Sequence, residues 1–210
     1  MSVPNADMSL QLDWCSHEAA KHAVEKWHYS HSIPAGKLVK IGVWEDGEFI
    51  GCVLFGRGAN NRLLEPYGLQ CTEGCELVRI ALKEHKAHVT RIVSIALKML
   101  KKLCPGMRLV VSFADSRQGH AGKIYQAGNW IFTGSVHSTP DFFLKGRWQH
   151  QRNVHSLYGT IKGVNVPKRD GGYRHRYLMP LDDDMRKQIE LLRMKPPSTG
   201  GEMSSRSTTG

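Results

Sequence analysis

The chain has 210 residues, 40% of them hydrophobic, with 29 Lys and Arg against 19 Asp and Glu. That length and apolar content suit one domain with a proper core, and no run nears the ~18 apolar residues of a bilayer-crossing helix. The formal charge of +10 fits a polyanionic partner bound through phosphate neutralisation, although a merely basic surface reads the same way. Met1 to Met8 has no basic start followed by an apolar stretch, so no signal peptide is expected and the predicted location is cytoplasmic. Five cysteines, an odd number, fit reduced thiols, and the Cys71/Cys75 pair has no partner cluster to complete a metal site.

In chain order, Leu10, Leu12 and Trp14 alternate within a short strand over Ser9 to Trp14. Ser16 then caps a helix to about Trp27, whose apolar stripe includes Ala20, Ala23 and Val24. His28 to Gly36 is polar and turn-rich, hence a loop. Lys37 to Trp44 and Glu48 to Phe55 flank Asp46-Gly47, a strong hairpin signal. Gly56 to Asn61 reads as a loop that allows close backbone approach. Cys75 to Leu82 is a further strand. Val89 to Leu103 is the clearest helix, stopped by Pro105-Gly106. Leu109 to Ala114 is nearly continuous and apolar, as a covered central strand should be. A short helix over Gly119 to Ala127 and a strand over Asn129 to Val136 follow. His155 to Lys162 and Tyr173 to Met179 are predicted strands, and Leu181 to Met194 a helix that either closes the core or mediates a homodimer. Residues 1–194 therefore form one domain, with a basic region at about 145–176 and a disordered tail over 195–210.

The hairpin and the strand–helix–strand unit centred on Val89 to Leu103 imply an α/β (α+β) fold with a mixed, mostly antiparallel sheet flanked by helices. This order resembles the Gcn5-related N-acetyltransferases. The Ala114-Asp115 strand end, the helix with Ile124-Tyr125-Gln126 and the Gly128-Asn129-Trp130 opening of the next strand strengthen the likeness. That family holds the coenzyme A pyrophosphate with a glycine-rich loop at the start of the long helix. Here the loop is Lys83-Glu84-His85-Lys86-Ala87-His88, without glycine.

Several segments together are similar to the phage Mom family of DNA modification proteins. They are His28-Tyr29-Ser30, Phe55 to Asn61, Cys75 to Leu82, Val111 to Asp115, Gly119-His120, Tyr125 to Trp130 and Arg176 to Pro180. The resemblance spans roughly residues 20 to 190. It implies an acetyltransferase-like fold, double-stranded DNA as partner and conversion of adenine to N6-carbamoylmethyladenine, which protects phage DNA from restriction. Acetyl-coenzyme A follows from the fold as donor. The glycinamide skeleton of the product admits glycyl-tRNA instead, which would make a tRNA a second partner. An ordinary N-acetyltransferase of a small amine or protein, and a non-catalytic DNA-binding protein, are the alternatives.

The candidate catalytic residues follow from position. Asp115 ends the central strand, where open α/β sheets place their crevice; it suits a base, an orienting group or a metal ligand, and equally a helix N-cap. Tyr125 matches the tyrosine that protonates leaving groups in acetyltransferases, or is a core tyrosine. Glu76 and Arg79, three apart on a strand, are expected on opposite faces; Arg79 requires an anionic partner. Ser112 is a weaker candidate, since a strand serine often bonds locally. His28 and Tyr29 are assigned to the base or donor pocket, and with Asp115 form a candidate iron site.

Lys83, His88, Thr90 and Arg91, around the start of the long helix, are the donor-binding candidates. Arg57, Asn60 and Asn61 in the glycine loop, and Arg147, Arg152, Lys168, Arg169 and Arg174 interleaved with Trp148, Tyr158 and Tyr173, are the DNA-binding candidates.

Overall fold

A computed structural model describes residues 9–58, 62–163 and 165–197. The side chains of 152 and 153 also lie outside the description. A seven-stranded sheet in the order β1-β2-β3-β4-β5-β10-β6 forms the body. Its strands are β1 (Leu10–Trp14), β2 (Leu38–Glu45), β3 (Glu48–Gly56), β4 (Gly74–Leu82), β5 (Leu109–Asp115), β6 (Ile131–His137) and β10 (Tyr173–Pro180). Every neighbouring pair is antiparallel except β4 and β5. The fold is therefore the single mixed-sheet domain expected.

Two layers of helix cover the sheet. The helix α1 (His17–Trp27) is capped by Ser16, whose hydroxyl accepts from the Ala19 N–H at 3.1 Å. It buries Ala20, Ala23 and Val24 against Cys52, Leu54 and Ala81. On the other face α2 (Val89–Leu103) lays Ile92, Val93, Ala96 and Leu100 over Ile41, Val53, Phe55 and Val110. The helix α5 (Asp183–Glu190) is capped by Asp182, which accepts from the Met185 N–H at 2.7 Å. Met185 and Ile189 are fully buried beside Leu109, Val111 and Leu178, so this helix closes the core of its own chain.

The segment between β6 and β10 differs from expectation. Strands β7 (Asp141–Leu144), β8 (Arg147–His150) and β9 (Lys168–Arg169) form a second sheet in the order β8-β7-β9. The β7–β8 turn places Lys145 and Gly146 at positive φ of 51° and 73°, a two-residue hairpin made with a lysine where Asn or Asp is the usual signal. The strand predicted over His155 to Lys162 is instead the helix α4 (Gln151–Tyr158). A helix here seats Val154, fully buried, against Phe142 and Leu144, which a solvated strand would not. The short helix α3 (Lys123–Ala127) starts later than predicted. Gly119 and Gly122 have φ of 68° and 78°, outside the helical region.

Candidate active site

Strands β4 and β5 pair only through Gly74, Cys75 and Glu76 with Leu109, Val110 and Val111, and then diverge. A cleft of about 320 Å³ opens in the gap, walled by Leu77 to Ile80, Phe113, Ala114, His28, Tyr29 and Gly119 to Tyr125. This is the size and position at which open sheets take small ligands.

Tyr125 from α3 is buried at the cleft floor, its hydroxyl 2.8 Å from Ser112 Oγ. Ser112, 1% exposed, also donates to the Leu77 carbonyl at 3.0 Å and so bridges the diverging strands. Burial pushes the Tyr125 phenol up to about 12, against its hydrogen bond with Ser112, so it keeps its proton at neutral pH. Gly122, also in the wall, has no room for a side chain: a Cβ there would stand 2.3 Å from the Tyr177 ring.

Glu76 and Arg79 do not part to opposite faces. Leu54 pairs with Arg79 but Phe55 with Leu77, so Val78 is an extra residue in β4. That bulge shifts the alternation by one, and Arg79 and Glu76 feel each other electrostatically, together with Arg174. Burial raises the Glu76 carboxyl above the usual glutamate range, opposed by Arg174 and Arg79. Gly58 packs on it so closely that a Cβ would lie 2.1 Å from Glu76 Oε2. Arg79 donates from Nη1 to the Val78 carbonyl at 2.6 Å. Among the described residues its Nε alone is a buried side-chain polar atom with no hydrogen-bond partner. A buried donor of that kind is costly to leave unmatched and marks where an acceptor atom belongs.

His28 and Tyr29 stack with ring centroids 4.2 Å apart, and His120 meets Tyr29 edge-on at 5.6 Å. Burial, with the charges of Arg79, His120 and His31, lowers His28 to about 4, so the ring is neutral at pH 7. The Ser30 N–H donates to its Nδ1 at 3.1 Å, which puts the ring proton on Nε2. Asp115 caps the 3-10 turn Ser116–Gln118 by accepting from the Arg117 N–H at 3.0 Å, and its carboxylate pairs with the Arg117 guanidinium at 3.6 Å. Among the described residues no group of three or more His, Cys, Asp or Glu is disposed to hold a metal ion. With His28 Nδ1 and Asp115 already engaged, His28, Tyr29 and Asp115 as arranged do not fit an iron site.

The donor candidates divide. His88, Thr90 and Arg91 line a second groove, between α2 and α3, with Lys98 and Trp130. Lys83 lies elsewhere, paired with Glu48. The loop ahead of α2 is already filled. The buried Glu45 carboxylate accepts from the Lys86 N–H at 2.9 Å and the Ala87 N–H at 2.7 Å. Two of the backbone donors that suit an external anion at this position are therefore held by an internal one. No local signal in the sequence marks Glu45 for this role, because its partners lie 41 and 42 residues away.

Of the DNA-binding candidates, Arg57, Arg147, Lys168, Arg169 and Arg174 are exposed. Arg174 lies over the Phe113 ring at 5.0 Å, beside the cleft. Asn60, Asn61 and the Arg152 side chain lie outside the described residues. Arg117 and Asp141 join the site or its rim without having been singled out from the sequence, and His120, named there only within the Gly119-His120 segment of the resemblance, joins the cleft wall.

The fold matches solved N-acetyltransferases. The spermidine/spermine N-acetyltransferase of Vibrio cholerae has a TM-score of 0.50 at 12% identity, covering 88% of this chain and 95% of that one. NAA60 of Arabidopsis thaliana, solved with a bisubstrate analogue, has a TM-score of 0.50 at 10% identity, covering 83% of this chain and 100% of that one. In sequence, the methylcarbamoylase mom of Escherichia phage Mu is 28% identical over 200 residues, covering 89% of this chain and 83% of the relative. The description of the Mom protein family matches residues 9–198. On that span, nearly the whole chain, the protein belongs to the Mom protein family.

Proposed function

We propose that this protein is a phage DNA modification enzyme, a transferase that converts adenine in DNA to N6-carbamoylmethyladenine and so shields phage DNA from restriction. The observation that carries the reading is the cleft between β4 and β5, with Tyr125 at its floor and buried Ser112 behind it, in a chain of the Mom family. Tyr29, His28 and His120 offer ring faces and edges to a planar base extruded from the duplex.

The adenine N6 amine is a weak nucleophile because its lone pair is delocalised into the ring. Its attack on an acyl carbonyl needs a base for the N–H proton, a donor to the developing oxyanion and an acid for the leaving group. Glu76, with its raised carboxyl pKa, is the base. The unmatched Nε of Arg79 faces the oxyanion, and the protonated Tyr125 phenol gives its proton to the donor's leaving group. Asp115 orients the rim through Arg117.

Atom balance bears on the donor. A glycyl ester places both carbons and the nitrogen of the carbamoylmethyl group on N6. The resulting N6-glycyl adenine is an isomer of the product, reached by migration of ring C6 between the two nitrogens. An acetyl donor lacks that nitrogen and would need an oxidant as well. The Glu45 carboxylate in the loop also argues against a diphosphate held there. The reading therefore takes glycyl-tRNA as donor, its acceptor end in the α2–α3 groove beside Arg91 and Lys98. An acyl-coenzyme A donor, supported by the fold, is the second reading.

Nucleoside mass spectrometry on DNA from cells expressing the protein and fed heavy-isotope glycine tests both. A carbamoylmethyl adenosine carrying the whole labelled glycine skeleton is expected. The same nucleoside without the label moves the donor to coenzyme A. Unmodified adenine, with soluble protein, overturns the reading.

A further inference from the structure

The second sheet carries an unusual outer face. Its inner face is a small core in which Phe142 and Leu144 cover Val154. On its outer face Phe143 and Trp148 stand directly opposite each other in the β7–β8 ladder, ring centroids 5.2 Å apart and each 38% exposed. The Arg169 guanidinium lies over the Trp148 ring at 4.8 Å. Small sheets ordinarily turn polar residues to solvent, and an exposed aromatic pair of this kind marks a contact surface.

Charge decides what the surface fits. Residues 138–176 hold eight Lys and Arg against two acids, Asp141 and Asp170. Both acids are engaged. Asp141 is buried and paired with Arg117 and with Arg169, the latter at 2.9 Å, and Asp170 pairs with His137 at 2.8 Å. What remains outward is cationic and aromatic. A protein partner would need an acidic patch set directly beside an apolar pocket to meet both features. A nucleic acid strand uses both, its unpaired bases on the rings and its phosphates on Arg169 of the same face and on exposed Arg147 beside the adjoining β7–β8 turn.

The same ion pairs fix the surface against the active cleft. Arg117 bridges Asp141 to Asp115, the last residue of β5, and Asp141 holds Arg169, which covers Trp148. Ring platform and cleft rim are thus joined by one run of ion pairs.

We propose that the Phe143–Trp148–Arg169 face is a stacking platform for an unpaired nucleobase of the DNA strand beside the modified adenine. This rests on the DNA-modification reading and gives it a means of holding the duplex open. A base leaving the stack loses its neighbours, and the platform replaces one of them. The protein is therefore expected to bind single-stranded DNA with a base-stacking component, in addition to the salt-sensitive one.

The test titrates the full chain, wild type and Trp148→Phe, Trp148→Ala, Phe143→Ala and Arg147→Ala, with an oligo-dT strand and a duplex of equal length. Tryptophan fluorescence and affinity against salt are read together. Single-strand binding is expected to quench wild-type fluorescence, and the quench to be lost in Trp148→Phe with affinity kept within about twofold, since phenylalanine still stacks. Trp148→Ala and Phe143→Ala each weaken single-strand affinity about tenfold with an unchanged salt slope, while Arg147→Ala lowers the slope by about one phosphate contact. Equal quenching in wild type and Trp148→Phe, or an alanine variant with wild-type affinity, overturns the platform and leaves the DNA reading standing on charge alone. Loss of self-association in Trp148→Ala, with DNA binding intact, overturns it in favour of a contact between copies. Failure of the wild type to bind either form of DNA removes the DNA reading and the platform with it.

Discussion

Ser112 Oγ lies 2.8 Å from Tyr125 Oη and 3.0 Å from the Leu77 carbonyl oxygen, so one hydroxyl ties both diverging strands to the helix at the cleft floor. A serine hydroxyl has a single proton. Given to Leu77, it leaves Ser112 accepting from the phenol; given to Tyr125, it frees the phenol proton for the cleft. The second arrangement is the one a leaving group needs. Tyr125→Phe is expected to lower modification of DNA by about 100-fold with an unchanged melting temperature. Ser112→Ala should lose less activity and about 1 kcal/mol of stability. Nucleoside yield and thermal unfolding on the same preparations check this.

Glu76 carries the acidic side of the pH profile. Its carboxyl is raised by burial above the ordinary glutamate value of 4.5, and a base must be ionised to work. Activity should therefore fall as pH drops through a midpoint above that value. Glu76→Gln is expected to remove this limb and about 100-fold of the rate. A rate–pH profile with the same acidic limb in the variant would assign it to another group.

His28 links stability to pH. Its folded pKa, about 4, lies below the ordinary 6.5 because the ring is buried near cationic neighbours. Between those values the unfolded chain binds the extra proton, so stability falls as pH drops from 6.5 toward 4 and levels below. The loss is on the order of 2–3 kcal/mol. His28→Gln should flatten that part of the curve relative to wild type, measured by denaturant unfolding at several pH values.

Glu45 reports on the filled loop. Glu45→Ala leaves the Lys86 and Ala87 N–H groups without their acceptor, at a cost of about 2 kcal/mol. Pyrophosphate is expected to leave the wild-type melting temperature unchanged and to raise that of the variant by refilling the two donors. A rise in the wild type would show that an external anion already competes for them.

Asp141 ties the second sheet to the body. Burial works against its charge, but hydrogen bonds from Arg169 and Arg117 hold the carboxyl below the usual aspartate range. Asp141→Ala leaves two guanidinium groups unpaired and is expected to cost about 2 kcal/mol, less than for a fully dry pair because both arginines reach solvent. Limited proteolysis should then cut within residues 138–172 before the seven-stranded sheet opens.

What the sequence by itself determined was everything with a local cause. The Ser16 cap, the stripe of Val89 to Leu103, the Asp46-Gly47 turn and the apolar run of β5 each carry a period or a turn chemistry that few conformations satisfy. They appear in the structure within a residue or two. From their order the fold followed, and with it the crevice at the end of β5. Where the cause was distant, the sequence was silent. Nothing near Val78 announces a bulge, yet the one-residue shift between β3 and β4 brings Glu76 within electrostatic reach of Arg79 in the cleft wall. Glu45 and the 86–87 backbone, or Asp141 with Arg117 and Arg169, meet only because strands far apart in sequence are neighbours in space. The second sheet stayed hidden because its turn uses a lysine at positive φ, and because a core of three buried side chains leaves too short a pattern to read. Tertiary structure alone decided which charges meet, since opposite charges find partners by proximity and the chain records no proximity beyond a few residues.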